Sequence, residues 1–267
     1  HSQAAARAPR LTMHAFAGKS SPHSDESANA CAAQTTSSSS ATLSPHLLLG
    51  VSMAYMRKFA ADMGASLDTP TAQVVARVRQ QQAHTGRSAA EKLVNTLGSD
   101  GRPYAANATL FVSHAQACSF LGMLDAIAAH VDSKSLRLED TYFWVDGFSI
   151  RQHNVAQDVA QIGMIEHRIG QVVMVLDPWH EPMALRRVWC LYEVVHTQLN
   201  NDVHLTLTMA PDERVAFVRA LQQDRELVED SLAAFDAREA EATMEADKAM
   251  IFSLIHENFG DDEDDAL

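Results

Sequence analysis

Four short apolar runs, set about 30 residues apart, constrain the fold more than any other feature of the sequence. They are Thr109-Leu110-Phe111-Val112, Tyr142-Phe143-Trp144-Val145, Val172-Val173-Met174-Val175-Leu176 and Val203-His204-Leu205-Thr206-Leu207. Runs of this length and apolar content suit strands buried on both faces of a parallel sheet. Their spacing is that of a β-α repeat. The segments between them have helical periodicity, with Phe120, Leu121, Leu124, Ile127 and Val131 in the first. Val155, Val159, Ile162 and Ile165 mark the second, and Leu185, Trp189, Tyr192 and Leu199 the third. Alternating β and α elements imply an α/β fold: a mostly parallel, doubly wound sheet with helices on both faces.

Upstream of the first run the pattern is helical from Leu47 to about Leu97. Leu48, Val51, Met56, Phe59 and Met63 recur near helical spacing, and Gly64 is a stop. Asp68-Thr69-Pro70 reads as a second helix start, with Val74, Val75 and Val78 as its apolar stripe. A third helix is predicted over Ala89 to Leu97, closed by Gly98. Residues 1–44 are rich in Ala, Ser and Thr and have no acid before Asp25. Such a segment cannot bury enough apolar surface to offset its ordering entropy, so disorder is expected; an organelle transit peptide is the alternative. The organisation expected is therefore a low-complexity segment at 1–44, a small helical extension at 45–104, an α/β domain at 105–260 and an acidic tail at 261–267.

Composition removes several classes. The formal charge of -13 argues against a nucleic-acid partner, because phosphate binding needs a basic face. No apolar stretch approaches the roughly 20 residues that cross a bilayer, so no membrane span is expected. Cys31, Cys118 and Cys190 are widely spaced and odd in number, which suits a reducing intracellular compartment, the cytoplasm above all, rather than a disulfide framework. The chain carries neither the phosphate-loop pattern nor the glycine fingerprint of a dinucleotide fold. Thirteen histidines include no H-E-x-x-H, and His114, His153 and His180 read as scattered capping residues, so no metal site is expected.

Ligands of open α/β sheets bind at the carboxyl ends of the strands. There the first run leads into Ser113-His114, the second into Asp146-Gly147-Phe148-Ser149, and the third into Asp177-Pro178-Trp179-His180 and a helix bearing Trp189, Cys190 and Glu193. Trp189 and Glu193 are four apart and share a helix face, with Arg186 one turn earlier. An aromatic beside a carboxylate can stack on a planar ring while the acid meets a developing positive charge. A surface glutamate paired with Arg186 or Arg187 is the simpler reading of that spacing.

At Phe111-Val112-Ser113-His114-Ala115, Tyr142-Phe143-Trp144-Val145-Asp146 and Arg187-Val188-Trp189-Cys190-Leu191-Tyr192-Glu193 the sequence resembles the TIR family. Plant TIR domains have a similar first strand, an acidic residue near the end of the second, and a Trp-Cys-Leu-x-Glu segment after the third. The likeness is greater to a TIR-like group in large algal and other protist proteins, and it extends over roughly Leu47 to Gly260, including Thr71 to Val78 and Asp247-Lys248-x-x-Ile251. The resemblance implies a flavodoxin-like fold and an NAD⁺ glycohydrolase activity that depends on self-association. It places catalysis on Glu193. Ser113 and His114 would line the pocket, with Trp144, Asp146 and Phe148 near the loop after the second strand and Trp189 at the rim. NAD⁺ would be the substrate, and no separate cofactor is implied. Many TIR domains are adaptors, so a non-enzymatic interaction module, or a structural subunit of a larger complex, is the alternative.

Overall fold

The computed structural model describes residues 43–153, 155–242 and 245–259. Most of the low-complexity segment and the whole acidic tail lie outside the described residues. Of the described residues, those up to Ile251 belong to one compact unit, and those from Phe252 onward to a second, in which they are helical. In chain order the elements begin with β1 (Leu49–Ser52), α1 (Met53–Asp62), α2 (Thr71–Gln82), α3 (Ala89–Leu93), β2 (Ala105–Asn107) and β3 (Leu110–Ser113). They continue with α4 (Phe120–Ser133), β4 (Tyr142–Trp144), α5 (Asp146–Ser149), α6 (Val155–Val159), α7 (Ile162–Ile169) and β5 (Gln171–Val175). Last come α8 (Val188–Leu199), β6 (His204–Thr208), α9 (Pro211–Gln223), α10 (Arg225–Ala233) and α11 (Glu245–Phe259).

The sheet has six strands in the order β2-β1-β4-β3-β5-β6. β4, β3, β5 and β6 are mutually parallel and come from the four apolar runs, while β1 and β2 add an antiparallel edge. This is the doubly wound arrangement expected from the alternation, and it is consistent with the flavodoxin-like fold that the resemblance implies. Period-two geometry divides the strand side chains between two cores. Leu110, Val112, Phe143, Val145, Val173 and Val175 meet α1, α2 and α4 on one face. Phe111, Trp144 and Val172 meet Ile162 and Ile165 of α7, with Trp189 and Tyr192 of α8 against them, on the other. The Trp144 indole stacks on Phe111 at 4.5 Å and donates from Nε1 to the Leu47 carbonyl at 2.8 Å, which settles its one polar atom inside the core. Among the described residues no helix is long and apolar enough to cross a membrane.

The upstream segment departs from its helical reading at one place. Leu49–Ser52 is a strand, and the helix starts only at Met53, where the Ser52 hydroxyl accepts from the Tyr55 amide at 3.2 Å. The spacing of Leu48 and Val51 mimics a helix, but pairing with β2 and β4 decides the conformation. Gly50 makes that pairing feasible. A Cβ there would lie 2.8 Å from the backbone carbon and oxygen of Phe143, so β1 seats against β4 only without a side chain. The other two upstream helices form as expected, α3 being shorter and fixed by a capping box in which Ser88 and Glu91 satisfy one another. Gly50→Ala should lower unfolding stability by about 1–3 kcal/mol through overpacking against backbone. Urea denaturation followed by circular dichroism measures it, and an unchanged midpoint would contradict this seating of β1.

Candidate functional site

Strand order reverses around β3. The chain leaves β3 through α4 on one face and leaves β5 through α8 on the other, so the loops after these neighbouring strands diverge at the carboxyl edge. Such a switch point is where open α/β sheets hold ligands.

Ser113 ends β3 in register with Phe111, and so on the α8 side of the sheet; it is 1% exposed. Glu193 lies in the middle of α8 at 7% exposure, with Cys190 a turn earlier also buried. The Glu193 Oε2 atom and the Ser113 Oγ atom are buried and complete no hydrogen bond. Burial raises the Glu193 carboxyl well above the usual carboxylate range, and the negative charges of Glu166 and Asp146 add to the rise, while the nearby Ser113 hydroxyl opposes it. An uncompensated charge there is costly, so the acid favours its neutral form until a cation arrives. The surface-pair reading of Glu193 is therefore set aside: the side chain is buried, and Arg186 pairs with Glu181 at 2.5 Å instead.

The other expected site residues divide into two groups. His114 and Asp146 join Ser113 and Glu193 at the carboxyl edge. The His114 carbonyl accepts from Cys190 Sγ at 3.7 Å, and its ring Nε2 is buried without a partner. Asp146, half-buried at the first position of α5, accepts from the Gln116 side chain, which ties the loop after β3 to the loop after β4. Trp144 and Phe148, by contrast, are core side chains. Phe148 is fully buried among Tyr55, Phe59 and Phe120. Both were expected near a pocket, each lying two residues from Asp146, but the Trp144 ring is taken up by Phe111 and the Leu47 carbonyl, and Phe148 by the aromatic rings of α1 and α4. Trp189 is engaged away from the acid, donating to Asp247 Oδ2 at 3.1 Å and meeting Tyr192 edge-on at 5.7 Å.

Two buried residues behind Glu193 went unread in the sequence. Glu166 of α7 is fully buried, and its Oε2 lies 2.7 Å from Nδ1 of His196 on α8, though neither atom completes a hydrogen bond. Burial pushes the Glu166 carboxyl up to about 9 and pushes the His196 imidazole down. The signal was present: Glu166 sits four after Ile162 and three before Ile169, an acid inside an apolar helical stripe.

The edge is closed in this state. The amides of Thr71 and Ala72 at the start of α2 donate to the carbonyls of Cys118 and Gln116, at 2.9 and 2.8 Å. Cys118 Sγ then donates to the Asp177 carbonyl at 3.2 Å, bridging the loops after β3 and β5. A cavity of about 210 Å³ lies elsewhere, between Ser52, Arg57, Arg102, Tyr104 and Leu138, and a smaller one of about 80 Å³ lies between α2 and α3; Glu193 lines neither. Among the described residues no group of three or more His, Cys, Asp or Glu is placed to hold a metal ion. Compared with protein-family models, curated proteins and solved structures, the chain matches none.

Neither described cysteine is built as a nucleophile. Burial and the Asp177 charge push the Cys118 thiol up to about 12, and burial with Glu193 raises Cys190 well above its ordinary value. In the native protein at pH 8, Cys118 should alkylate about a thousandfold more slowly than an ordinary exposed thiol, since each pKa unit removes about tenfold of thiolate. Cys190 should be protected at least as well. Peptide mapping after iodoacetamide treatment, native against urea-unfolded, reads both; rapid native labelling of either would contradict this packing.

Proposed function

We propose that this chain is a TIR-like NAD⁺ glycohydrolase that cleaves the nicotinamide–ribose bond when copies of it associate, with Glu193 as the essential acid. The observation carrying the proposal is the position of Glu193: a buried carboxyl, lacking a hydrogen-bond partner on Oε2, beside the polar end of β3 at the sheet's switch point. The motif resemblance and the architecture point to the same residue by separate routes. Catalytic groups are held where burial and like charge perturb them, which is the condition of Glu193.

The chemistry follows from charge. The nicotinamide ring of NAD⁺ is cationic, and Glu193, with Asp146 across the edge, offers it a buried carboxyl that can ionise. A cation entering would offset the cost of ionising Glu193. As the C1′–N bond breaks, its electron pair passes to the ring nitrogen and neutral nicotinamide leaves. The ribose is then oxocarbenium-like, and a fixed carboxylate stabilises that charge or orients the ribose hydroxyls. Water adds at C1′ and releases a proton. Ser113 and His114 would line the ribose side, with Asp146 across the edge from them. Because the edge is bridged by Cys118 and Gln116, substrate entry requires those loops to separate, and association is the proposed trigger. Nicotinamide release from NAD⁺ should rise with protein concentration faster than linearly and fall about 10²-fold or more in Glu193→Gln. Absence of release from wild type at every concentration overturns the proposal.

A non-enzymatic interaction module is the second reading, favoured by one specific observation. α9 exposes Val215, Val218 and Leu221, and the edge strand β6 exposes Leu207. An apolar stripe beside a sheet edge suits a protein contact. On this reading sedimentation velocity detects assembly that persists in Glu193→Ala and is lost in the double change Val218→Asp with Leu221→Asp. A wild type that stays monomeric throughout counts against it.

A further inference from the structure

We infer that Glu166 and His196 form a buried proton-holding pair that sets the charge state of Glu193, a positioning device behind the acid. The inference rests on the proposed role of Glu193 for its functional meaning, but the pair itself stands on geometry. Glu166 is 0% exposed and faces α8, with 2.7 Å between its Oε2 and His196 Nδ1. Both Glu166 oxygens, His196 Nδ1 and Glu193 Oε2 are buried without a completed hydrogen bond, an unusual density of unsatisfied polar atoms between two helices. Close approach of the helices is permitted by Gly163. A Cβ there would lie 2.8 Å from Tyr192 Oη and 2.9 Å from His196 Nε2, and the Tyr192 ring stacks on His196 with centroids 5.9 Å apart. His196 is thus held on two sides, and it lies one turn beyond Glu193 on the same helix.

Two acids buried this near one another resist being ionised together. The Glu166–His196 pair holds one proton or none over the pH range of interest. With the proton, the pair is net neutral in either arrangement, as neutral acid with neutral imidazole or as carboxylate with imidazolium. Glu193 then ionises without repulsion from behind. Without the proton, Glu166 is a bare anion, and its charge raises the pH at which Glu193 ionises. The other groups facing this cluster are few. Glu193 meets Asp146 from the start of α5 and Cys190 on its own helix, with Arg187 acting on Cys190. The segment before β1 presents His46, 3.7 Å from Asp158, and α8 presents Tyr192. Of these only Asp146 adds negative charge at Glu193, and it lies on the substrate side of the proposed site.

The pair therefore predicts that Glu166 sets, from behind, the pH at which Glu193 ionises. Glu166→Gln keeps the shape and removes the charge, so the rising limb of its nicotinamide release against pH should lie at lower pH than in wild type. A merely structural role would lower activity equally at all pH values.

A second readout needs no activity. Glu166 has a folded pKa above its unfolded value, so it contributes stability that is complete below the ordinary carboxylate range and lost as pH rises through about 9. Urea midpoints measured from pH 5 to 10 should fall with pH in wild type and fall less in Glu166→Gln. Infrared difference spectra should show a protonated buried carboxyl at pH 7 that this change removes. Burial is what raises Glu166, and Glu193→Gln leaves it in place, so the fall in stability through about pH 9 should persist in that variant, which serves if Glu166→Gln does not fold. If wild type releases no nicotinamide yet the infrared and stability titrations behave as stated, the hydrolase reading fails and the proton-holding pair stands. If wild type shows no protonated carboxyl at pH 7, or Glu166→Gln shares its stability slope, the pair is overturned.

Discussion

β3 lies between β4 and β5 and is buried from end to end, so every side chain on it must be claimed by one core or the other. Leu110 and Val112 go to the α4 side, and Phe111 goes to the α7 side. The next position in that alternation is Ser113, and it meets the same requirement with a hydroxyl. At this point the two neighbouring connections part to opposite faces, and α8 comes down to cover the opening. Whatever α8 presents there is buried beside Ser113. It presents Cys190 and Glu193. The position of the acid is thus a consequence of strand order and of the two-residue pleat, before any question of chemistry arises.

Much of this was legible in the sequence, and the legible part has a physical basis. The four parallel strands declare themselves because a strand buried on both faces needs apolar residues at consecutive positions, which no amphipathic helix requires. β1 does not declare itself. Its spacing of Leu48 and Val51 fits a helix, and what makes it a strand is the backbone of Phe143, a residue 93 positions from Gly50 when their numbers in the sequence are subtracted. Trp144 and Phe148 each lie two residues from Asp146, but Trp144 stacks on Phe111 and Phe148 joins Tyr55, Phe59 and Phe120, so nearness in sequence to a site residue places neither at the edge. Trp189 and Glu193 share a helix side, yet α8 is buried around most of its circumference, and the two side chains are claimed by different neighbours. Helical spacing says which residues are together on a helix; it does not say which element each one meets.

α2 illustrates the same limit. Its stripe of Val74, Val75 and Val78 reads as packing and does pack, with Val75 so close to Gly147 that a Cβ there would lie 2.5 Å from Val Cγ2. What the stripe does not reveal is that the helix start also donates two amides to the loop after β3. Orphan amides at a helix start seek acceptors, and here the acceptors are the carbonyls of the segment that guards the carboxyl edge. The upstream helices are therefore part of the closure of the proposed site as well as of its core.

Buried acids set the remaining problem. Replacing a buried ionic group by apolar side chains of equal volume is often neutral or stabilising, so stability alone gives no account of Glu166, His196 and Glu193 lying together between α7 and α8. A helix stripe of Ile162, Ile165 and Ile169 would pack better with leucine at its centre than with a carboxyl that finds no completed hydrogen bond. Local sequence choices that contradict the surrounding core concentrate at functional positions. The contradiction here is double, one acid on each of two facing helices, with an imidazole against one of them and the sheet's switch point alongside the other. That arrangement stores a titratable charge where water is excluded, and a cation admitted to the edge would find it already oriented. Catalysis or partner binding would both use such a charge, but only catalysis needs its protonation state controlled, which is the role proposed for the Glu166–His196 pair.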